Sequence, residues 1–185
     1  MSVMEKTGTP IGSYAPDFEL PGIDNQVHHL ARYLEKYRAV GVVFMCNHCP
    51  CVQSYLGRLT QIQSEFQSQG FTLIGINAND AVQSPEDSFE NMQTLAATHG
   101  LNFPYLRDTT QDVARCFGGQ TTPEVFLLDN SGILRYSGRI DDNSQDPAAV
   151  KVNYLRDAIA SLLQGKTAIK TASTEAVGSP IKWRP

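Results

Sequence analysis

The stretch Ala39-Val40-Gly41-Val42-Val43-Phe44-Met45-Cys46-Asn47-His48-Cys49-Pro50-Cys51 decides how the rest of the chain is read. It opens on an unbroken apolar, largely β-branched run, as in a central strand buried on both faces. Three of the chain's four cysteines then fall within six residues, and Pro50 stands where the first turn of a helix tolerates a missing N–H. A Cys46-x-x-Cys49 pair between a strand end and a helix start is a redox arrangement. Unpaired amides and the positive end of the helix dipole favour a thiolate there, and the thiolate is the form that attacks disulfides and peroxides.

Working outward, Val52, Tyr55, Leu56, Leu59, Ile62 and Phe66 recur at three- and four-residue steps, predicting one apolar stripe on a long helix that ends near Gly70. Phe71-Thr72-Leu73-Ile74-Gly75-Ile76-Asn77 reads as a second buried strand, with polar Asn77-Ala78-Asn79-Asp80 at its carboxyl end. Ser84-Pro85-Glu86-Asp87 predicts a helix capped by Ser84, with Phe89, Met92, Leu95 and Ala96 facing inward and Gly100 ending it. Phe103-Pro104-Tyr105-Leu106 is a short extended piece, and residues 108–117 form a short helix stopped by Gly118-Gly119. Thr121-Thr122-Pro123 leads into a strand ending at Asp129, and Asp129-Asn130-Ser131-Gly132 turns the chain into a returning strand over 133–138. A last helix is expected over residues 148–163, with Val152, Leu155, Ile159 and Leu162 on one side.

Upstream, Ala15-Pro16-Asp17-Phe18-Glu19-Leu20 alternates apolar and polar residues before a Pro21-Gly22 turn. Residues 27–30 are its hairpin partner, and 30–37 make one or two helical turns. The order is an N-terminal β-hairpin, then βαβα, then ββα, which means an α/β fold with a central mixed sheet flanked by helices. The expected organisation is a flexible leader over residues 1–13, one domain over 14–165 and a C-terminal tail over 166–185.

At 185 residues the chain can bury a sizeable core as one domain. A net charge of −4 with both signs interspersed points to neither a nucleic-acid nor a membrane partner. No apolar run approaches the roughly 18 residues of a membrane-spanning helix. Met1-Ser2-Val3-Met4-Glu5-Lys6-Thr7-Gly8 lacks the apolar core and cleavage site of a secretory signal, so a cytoplasmic location is expected. Cysteines in that compartment are more often catalytic or metal-binding than a disulfide framework.

Several further pieces carry a family likeness. With Phe44-Met45-Cys46-Asn47-His48-Cys49-Pro50 they are Ala15-Pro16-Asp17-Phe18-Glu19-Leu20, Ile76-Asn77-Ala78-Asn79-Asp80, Thr122-Pro123, Gly138-Arg139-Ile140-Asp141-Asp142 and Ile181-Lys182-Trp183. Together they resemble the thioredoxin-fold superfamily, in its peroxiredoxin-like branch of alkyl hydroperoxide reductase/thiol-specific antioxidant (AhpC/TSA) proteins. The resemblance implies a thioredoxin fold and thiol redox chemistry. Two departures stand out: where relatives often carry a cysteine before the Thr-Pro and another after the tail glycine, this chain has Thr121 and Ser179.

On this reading Cys46 is the exposed nucleophile at the helix N-terminus and Cys49, one turn inside, resolves the mixed disulfide. His48 stands where DsbA-like oxidases also carry a histidine, and a partly protonated imidazole beside Cys46 makes the pair more oxidising. Pro123 resembles the proline that faces the cysteine pair in thioredoxins across a cis peptide bond, which leaves Thr122 free to pair with a substrate's extended backbone. Cys51 is either half-buried and unreactive or a third redox partner, and Cys116, at apolar spacing with Val113, is expected in the core. Asn77, Asp80, Glu124 and Arg139 belong near the carboxyl ends of the strands, where loop capping explains Asn and Asp equally well.

The expected activity is that of a thiol-disulfide oxidoreductase cycling Cys46 and Cys49 in cellular redox homeostasis. Its partners are a disulfide-containing protein or a small-molecule thiol or peroxide, with a thioredoxin- or glutathione-type reductant and no cofactor or metal. One alternative is a thiol peroxidase. The peroxiredoxin frame Pro-x-x-x-Thr/Ser-x-x-Cys would need, for Cys49, proline at Val42 and threonine at Cys46; for Cys46, proline at Ala39 and threonine at Val43; for Cys51, proline at Phe44 and threonine at His48. None fits. A second alternative is a redox-sensing or metal-handling module using Cys46, His48, Cys49 and Cys51, a set too closely spaced to surround a tetrahedral ion while a helix starts between its members.

Overall fold

The structure is a computed structural model of the chain, in which residues 8–185 are described. Its elements are β1 (Glu19–Pro21), β2 (Val27–His29), α1 (Leu30–Lys36), β3 (Ala39–Phe44), α2 (Pro50–Phe66), β4 (Phe71–Asn77), α3 (Phe89–His99), β5 (Tyr105–Arg107), α4 (Asp112–Phe117), β6 (Thr121–Thr122), β7 (Glu124–Asp129), β8 (Leu134–Gly138), α5 (Tyr154–Leu163) and β9 (Ser179–Pro180). The central sheet has the order β5-β4-β3-β7-β8. β3, β4 and β5 are mutually parallel, while β7 runs antiparallel to β3 and β8 antiparallel to β7. β1 and β2 form the expected separate hairpin. This is the mixed sheet of a thioredoxin fold with an N-terminal extension. Among the described residues no helix is long and apolar enough to cross a membrane.

The unbroken apolar run makes β3 the middle strand, buried at every position because both sheet faces are covered. Its pleat sorts side chains into two cores. Val43 joins Val52, Leu56 and Leu59 of α2, Met92 and Leu95 of α3, and Leu155 and Ile159 of α5. Val40, Val42 and Phe44 point the other way, toward Leu30 of α1, Ala114 and Phe117 of α4 and, from the far end of the chain, Ile181. Each such fully buried side chain contributes about 1.5–3 kcal/mol relative to exposure. The last rung of the β3–β7 ladder sets Phe44 opposite Glu124, which places the cysteine stretch and Thr122-Pro123 just beyond it, side by side.

Four details differ from the sequence reading. The helix expected from Ser84 is broken: Pro85–Asp87 is a single 3-10 turn, and Ser88 caps α3 by accepting the Asn91 N–H at 3.2 Å. The last helix starts at Tyr154, because Pro147–Ala149 makes a 3-10 turn capped by Asp146 and Val150 leaves it with extended backbone. Val152, expected on the inner face, is consequently exposed. Cys116 is exposed on α4, with Ala114 and Phe117 forming the buried face instead.

Residues 1–7 of the expected leader lie outside the described residues; beyond them, Thr9 and Gly12 donate backbone hydrogen bonds to Phe117 and Leu134, so this part is tied to the domain. The stretch over 166–185 is likewise bound to the domain. It runs beside β8, where Thr174 donates to the Ser137 carbonyl at 3.0 Å, then crosses the carboxyl ends of the strands. There β9 pairs antiparallel with β6, Thr122 opposite Ser179. It ends on Ile181, 3% exposed, and on Lys182, whose N–H donates to Asn79 Oδ1 at 2.9 Å.

Candidate active site

Cys46 follows β3, and Cys49 is the N-cap of α2 with Pro50 at the first helical position, so the strand end and the helix start fix the two cysteines against each other. Both are free and buried, 1% and 2% exposed. The Thr122–Pro123 peptide is cis, as the resemblance implies. Thr122 Oγ1 donates to the Cys46 sulfur at 3.6 Å. The Cys49 sulfur lies 3.1 Å from Ser179 Oγ and 3.6 Å from the Thr122 carbonyl. Glu124 accepts the Gln120 and Thr121 N–H groups at 2.9 and 3.2 Å, holding the loop that carries Thr122-Pro123, and burial raises its pKa.

The surroundings of the two thiols shift them in opposite directions. The Cys49 thiol is lowered to about 4: a hydrogen bond from Cys46 contributes most, and the Ser179 hydroxyl and the α2 amides of Val52 and Cys51 add to it against the cost of burial. Cys46 is pushed far above the ordinary thiol range by that same hydrogen bond, by burial, and by the negative charges of Cys49 and Asp87. The direction follows from position: Cys49 sits at the positive end of a helix dipole, Cys46 beside a carboxylate. Cys46, expected as an exposed thiol at the helix N-terminus, is buried, and Cys49 holds the N-cap position instead.

Beneath the pair lies a polar cluster centred on Asp87, which is fully buried. Its Oδ1 accepts from the Asn47 N–H at 2.8 Å and Asn77 Nδ2 at 3.1 Å; its Oδ2 accepts from Asn79 Nδ2 at 2.9 Å and sits 3.2 Å from His48 Nδ1. Tyr105 donates its hydroxyl to Asn47 Oδ1 at 2.8 Å, and Arg107 reaches Asn77 Oδ1 at 3.2 Å. The carboxylate thus clamps Asn47-His48, the middle of the cysteine stretch, onto the end of β4. His48 lies next to Cys46, as expected, but its imidazole is aimed at Asp87.

Asp87, Asn47, Asn79 and Tyr105 are the members of this site that sequence reasoning missed. Asp87 reads locally as one more acid in a helix's first turn; the cluster of Asn77, Asn79 and Asp80 at a strand end was the one signal pointing toward it. Asp80 caps its own loop, accepting from the Val82 N–H and Gln83 Nε2. Arg139 lines an open groove of about 720 Å³ with Thr121, Tyr154, Thr174 and Val177. Cys51 is half-buried and donates to the Val177 carbonyl at 3.4 Å; burial and Cys49 raise its pKa.

The four donors of the metal-handling reading do not converge on one point. Cys46 and His48 come together instead with Asp87, all within 4.8 Å of one another. The two Asp87 oxygens already meet four partners there, a saturated carboxylate that suits a structural clamp better than a ligand.

A solved structure described as an uncharacterized conserved protein from Geobacillus kaustophilus superposes with a TM-score of 0.87 at 34% identity, covering 95% of this chain and 93% of that one. A thiol:disulfide interchange protein of the thioredoxin family from Chlorobium tepidum shares the fold, with a TM-score of 0.65 at 22% identity over 84% of this chain and 99% of its own. The thiol-disulfide oxidoreductase ResA of Geobacillus thermodenitrificans is 29% identical over 136 residues, 71% of this chain and 70% of that protein. The sequence pattern of the AhpC/TSA family matches residues 11–137, more than half of the chain, and the protein belongs to that family.

Proposed function

We propose that the protein is a thiol-disulfide oxidoreductase that works through the Cys46–Cys49 pair. The observation that carries this reading is geometric: two free cysteines lie between the end of β3 and the start of α2, Cys49 at the helix N-cap, and both sulfurs face Thr122 of the Thr122-Pro123 peptide. The Cys49 thiolate attacks one sulfur of a substrate disulfide; a Cys49–substrate bond forms, and the other substrate sulfur leaves as a thiolate that takes a proton from water. The Cys46 thiol then gives up its proton and attacks the Cys49 sulfur. The Cys46–Cys49 disulfide closes and the second substrate sulfur is released as a thiol. Two electrons pass to the substrate, and a dithiol or a pair of monothiols of the thioredoxin or glutathione class returns the protein to the reduced state. Asp87 and His48 hold the cysteine stretch in place, and Thr122-Pro123 forms the facing wall.

Two cheap assays test this. Reduction of insulin disulfides by dithiothreitol accelerates with the protein and loses that acceleration in Cys46→Ser and in Cys49→Ser. Cys46→Ser, which keeps the attacking sulfur, accumulates a mixed disulfide on Cys49; trapping on Cys46 in Cys49→Ser alone would reverse the assigned roles. Hydrogen peroxide in a parallel tube separates the peroxidase reading: rapid peroxide oxidation of Cys49 without insulin reduction would establish it instead. A reducing, cytoplasmic setting belongs to the same proposal. Acid-quenched alkylation in cells should find both thiols free, and a fully oxidised pair would count against that compartment.

A further inference from the structure

The cysteines are buried by a part of the chain that leaves the domain and returns to it. Near one end, Thr174 is fastened to β8: its N–H donates to the Ser137 carbonyl at 3.0 Å, and its hydroxyl meets the Tyr136 hydroxyl at 2.9 Å. At the other end, Ile181 is buried and donates to the Gln120 carbonyl at 2.9 Å, while the Lys182 carbonyl accepts from the Asp80 N–H at 2.8 Å and from Gln111 Nε2 at 2.9 Å. Between these anchors, Glu175, Val177 and Gly178 are exposed and span the mouth of the site. Three contacts hold the span down: Cys51 on the Val177 carbonyl, Ser179 Oγ on the Cys49 sulfur, and Thr122 Oγ1 on the Ser179 carbonyl at 3.3 Å.

The span also fills the place the resemblance reserves for substrate. Thr122, expected to be free for an extended backbone, is already paired, because β9 sets Ser179 opposite it. We infer that residues 175–181 are a strap that a disulfide substrate must lift to reach the cysteines, and that Ser179 on the strap is a positioning residue for the Cys49 thiolate. The inference rests on the proposed oxidoreductase reading for its substrate class, a disulfide in an extended peptide, which competes with β9 for the Thr121-Thr122 edge.

Closure and reactivity are coupled by this arrangement. With the strap down, the Ser179 hydroxyl donates to the Cys49 thiolate and covers it, which holds the anion in a protected, less nucleophilic form. Lifting the strap uncovers the sulfur and removes that hydrogen bond together. The freed thiolate is more basic, and nucleophilicity in disulfide exchange rises with basicity. The other groups that face Cys49 stay where they are: the Cys46 thiol with Asp87 behind it, and the Cys51 thiol with Arg139 and Arg58 beyond.

Gly178 provides the test. A Cβ at this position would collide with the Thr122 carbonyl oxygen and come within 2.8 Å of its carbon, so Gly178→Ala forces the strap off β6 without touching a cysteine. In the full-length reduced protein, iodoacetamide labelling of Cys49, located by peptide mass spectrometry, should accelerate by about tenfold or more in Gly178→Ala. Ile181→Ala, which loosens the buried anchor, should act in the same direction. Ser179→Ala should raise the pH midpoint of Cys49 thiolate absorbance, and Ser179→Thr should restore it, a shift that loss of structure alone would not produce. Wild-type labelling rates in both Gly178→Ala and Ile181→Ala, with unchanged circular dichroism, would overturn the strap; an unmoved midpoint in Ser179→Ala would overturn the role of Ser179. Because labelling needs no disulfide substrate, faster labelling without insulin reduction would sink the oxidoreductase reading and leave the strap standing.

Discussion

The unequal sharing of protons between Cys46 and Cys49 predicts how the reduction potential changes with pH. A disulfide binds no proton, so the pH dependence of the couple counts the protons the reduced form carries. Between the Cys49 value of about 4 and the ordinary thiol value of 9.0 that it would have unperturbed, the reduced pair holds one proton, on Cys46. One proton per two electrons gives a slope of about −30 mV per pH unit, where two ordinary thiols would give about −59 mV. The absolute shift follows as well. At pH 7, two units below 9.0, the thiolate stabilises the reduced form by about 3 kcal/mol, which raises the potential by roughly 60 mV over a pair of unperturbed thiols. The assay is equilibration in dithiothreitol or glutathione redox buffers from pH 5 to 8, with the thiol fraction read by alkylation. A slope near −59 mV per unit throughout that range would show both sulfurs protonated and would refute the electrostatic account of the site.

The same shifts set the stability of the reduced protein against pH. Cys49, lowered on folding, contributes stability that is fully present above 9.0 and lost as pH falls toward 4, whereas the contribution of Cys46, raised on folding, is present below 9.0 and lost above it; urea melts should therefore show the reduced form gaining on the oxidised form from pH 5 to 8. Asp87→Ala leaves the Asn47 N–H and the Asn79 side-chain amide without an acceptor, takes one of two acceptors from the Asn77 amide, and should cost about 2 kcal/mol or more at roughly 1–3 kcal/mol per orphaned donor; a loss under about 1 kcal/mol in denaturant would mean the clamp is slack. Asp141→Ala removes the carboxylate partner of the Arg58 guanidinium, 11% exposed and 2.8 Å away, leaving it the Asn143 and Ser144 carbonyls, and also removes the acceptor of the Tyr55 hydroxyl at 2.7 Å; about 3 kcal/mol should be lost on urea denaturation. Cys116→Ser, exposed on α4, should leave insulin reduction and the potential unchanged.

How much of this was legible depended on whether the cause was local. β3 and β4 were readable to the residue because continuous apolar runs with β-branched members have one use in an α/β domain, and α2 because its stripe holds for four turns. The start of α3 was misplaced because Ser84-Pro85-Glu86-Asp87 satisfies every local rule for a helix N-terminus. The competing force was long-range: Asn47, forty positions earlier, draws the Asp87 carboxylate inward, and α3 has to restart at Ser88. Cys116 was misjudged because a six-residue helix buries only Ala114 and Phe117. The cysteine pair itself was plain from spacing, whereas its surroundings depended on groups that no local window brings together: Ser179 lies 130 positions from Cys49, and Asp87 lies 40 positions from Asn47.

The rung that joins Phe44 to Glu124 has a consequence for which length changes the chain can absorb. Counting outward from it, Cys46 and Thr122 are each two residues beyond, on antiparallel neighbours, and the 3.6 Å between Thr122 Oγ1 and the Cys46 sulfur is what that count produces. Deleting one residue within β3 or β7 would slide this match by about 3.3 Å and turn the shifted side chains to the opposite face. Insertions and deletions compatible with the chemistry are therefore excluded from these two strands and confined to places such as the Asp129–Gly132 turn and the loop before α5. Substitutions on the strap, by contrast, change what lies over the sulfurs while the distance between Cys46 and Thr122 stays fixed.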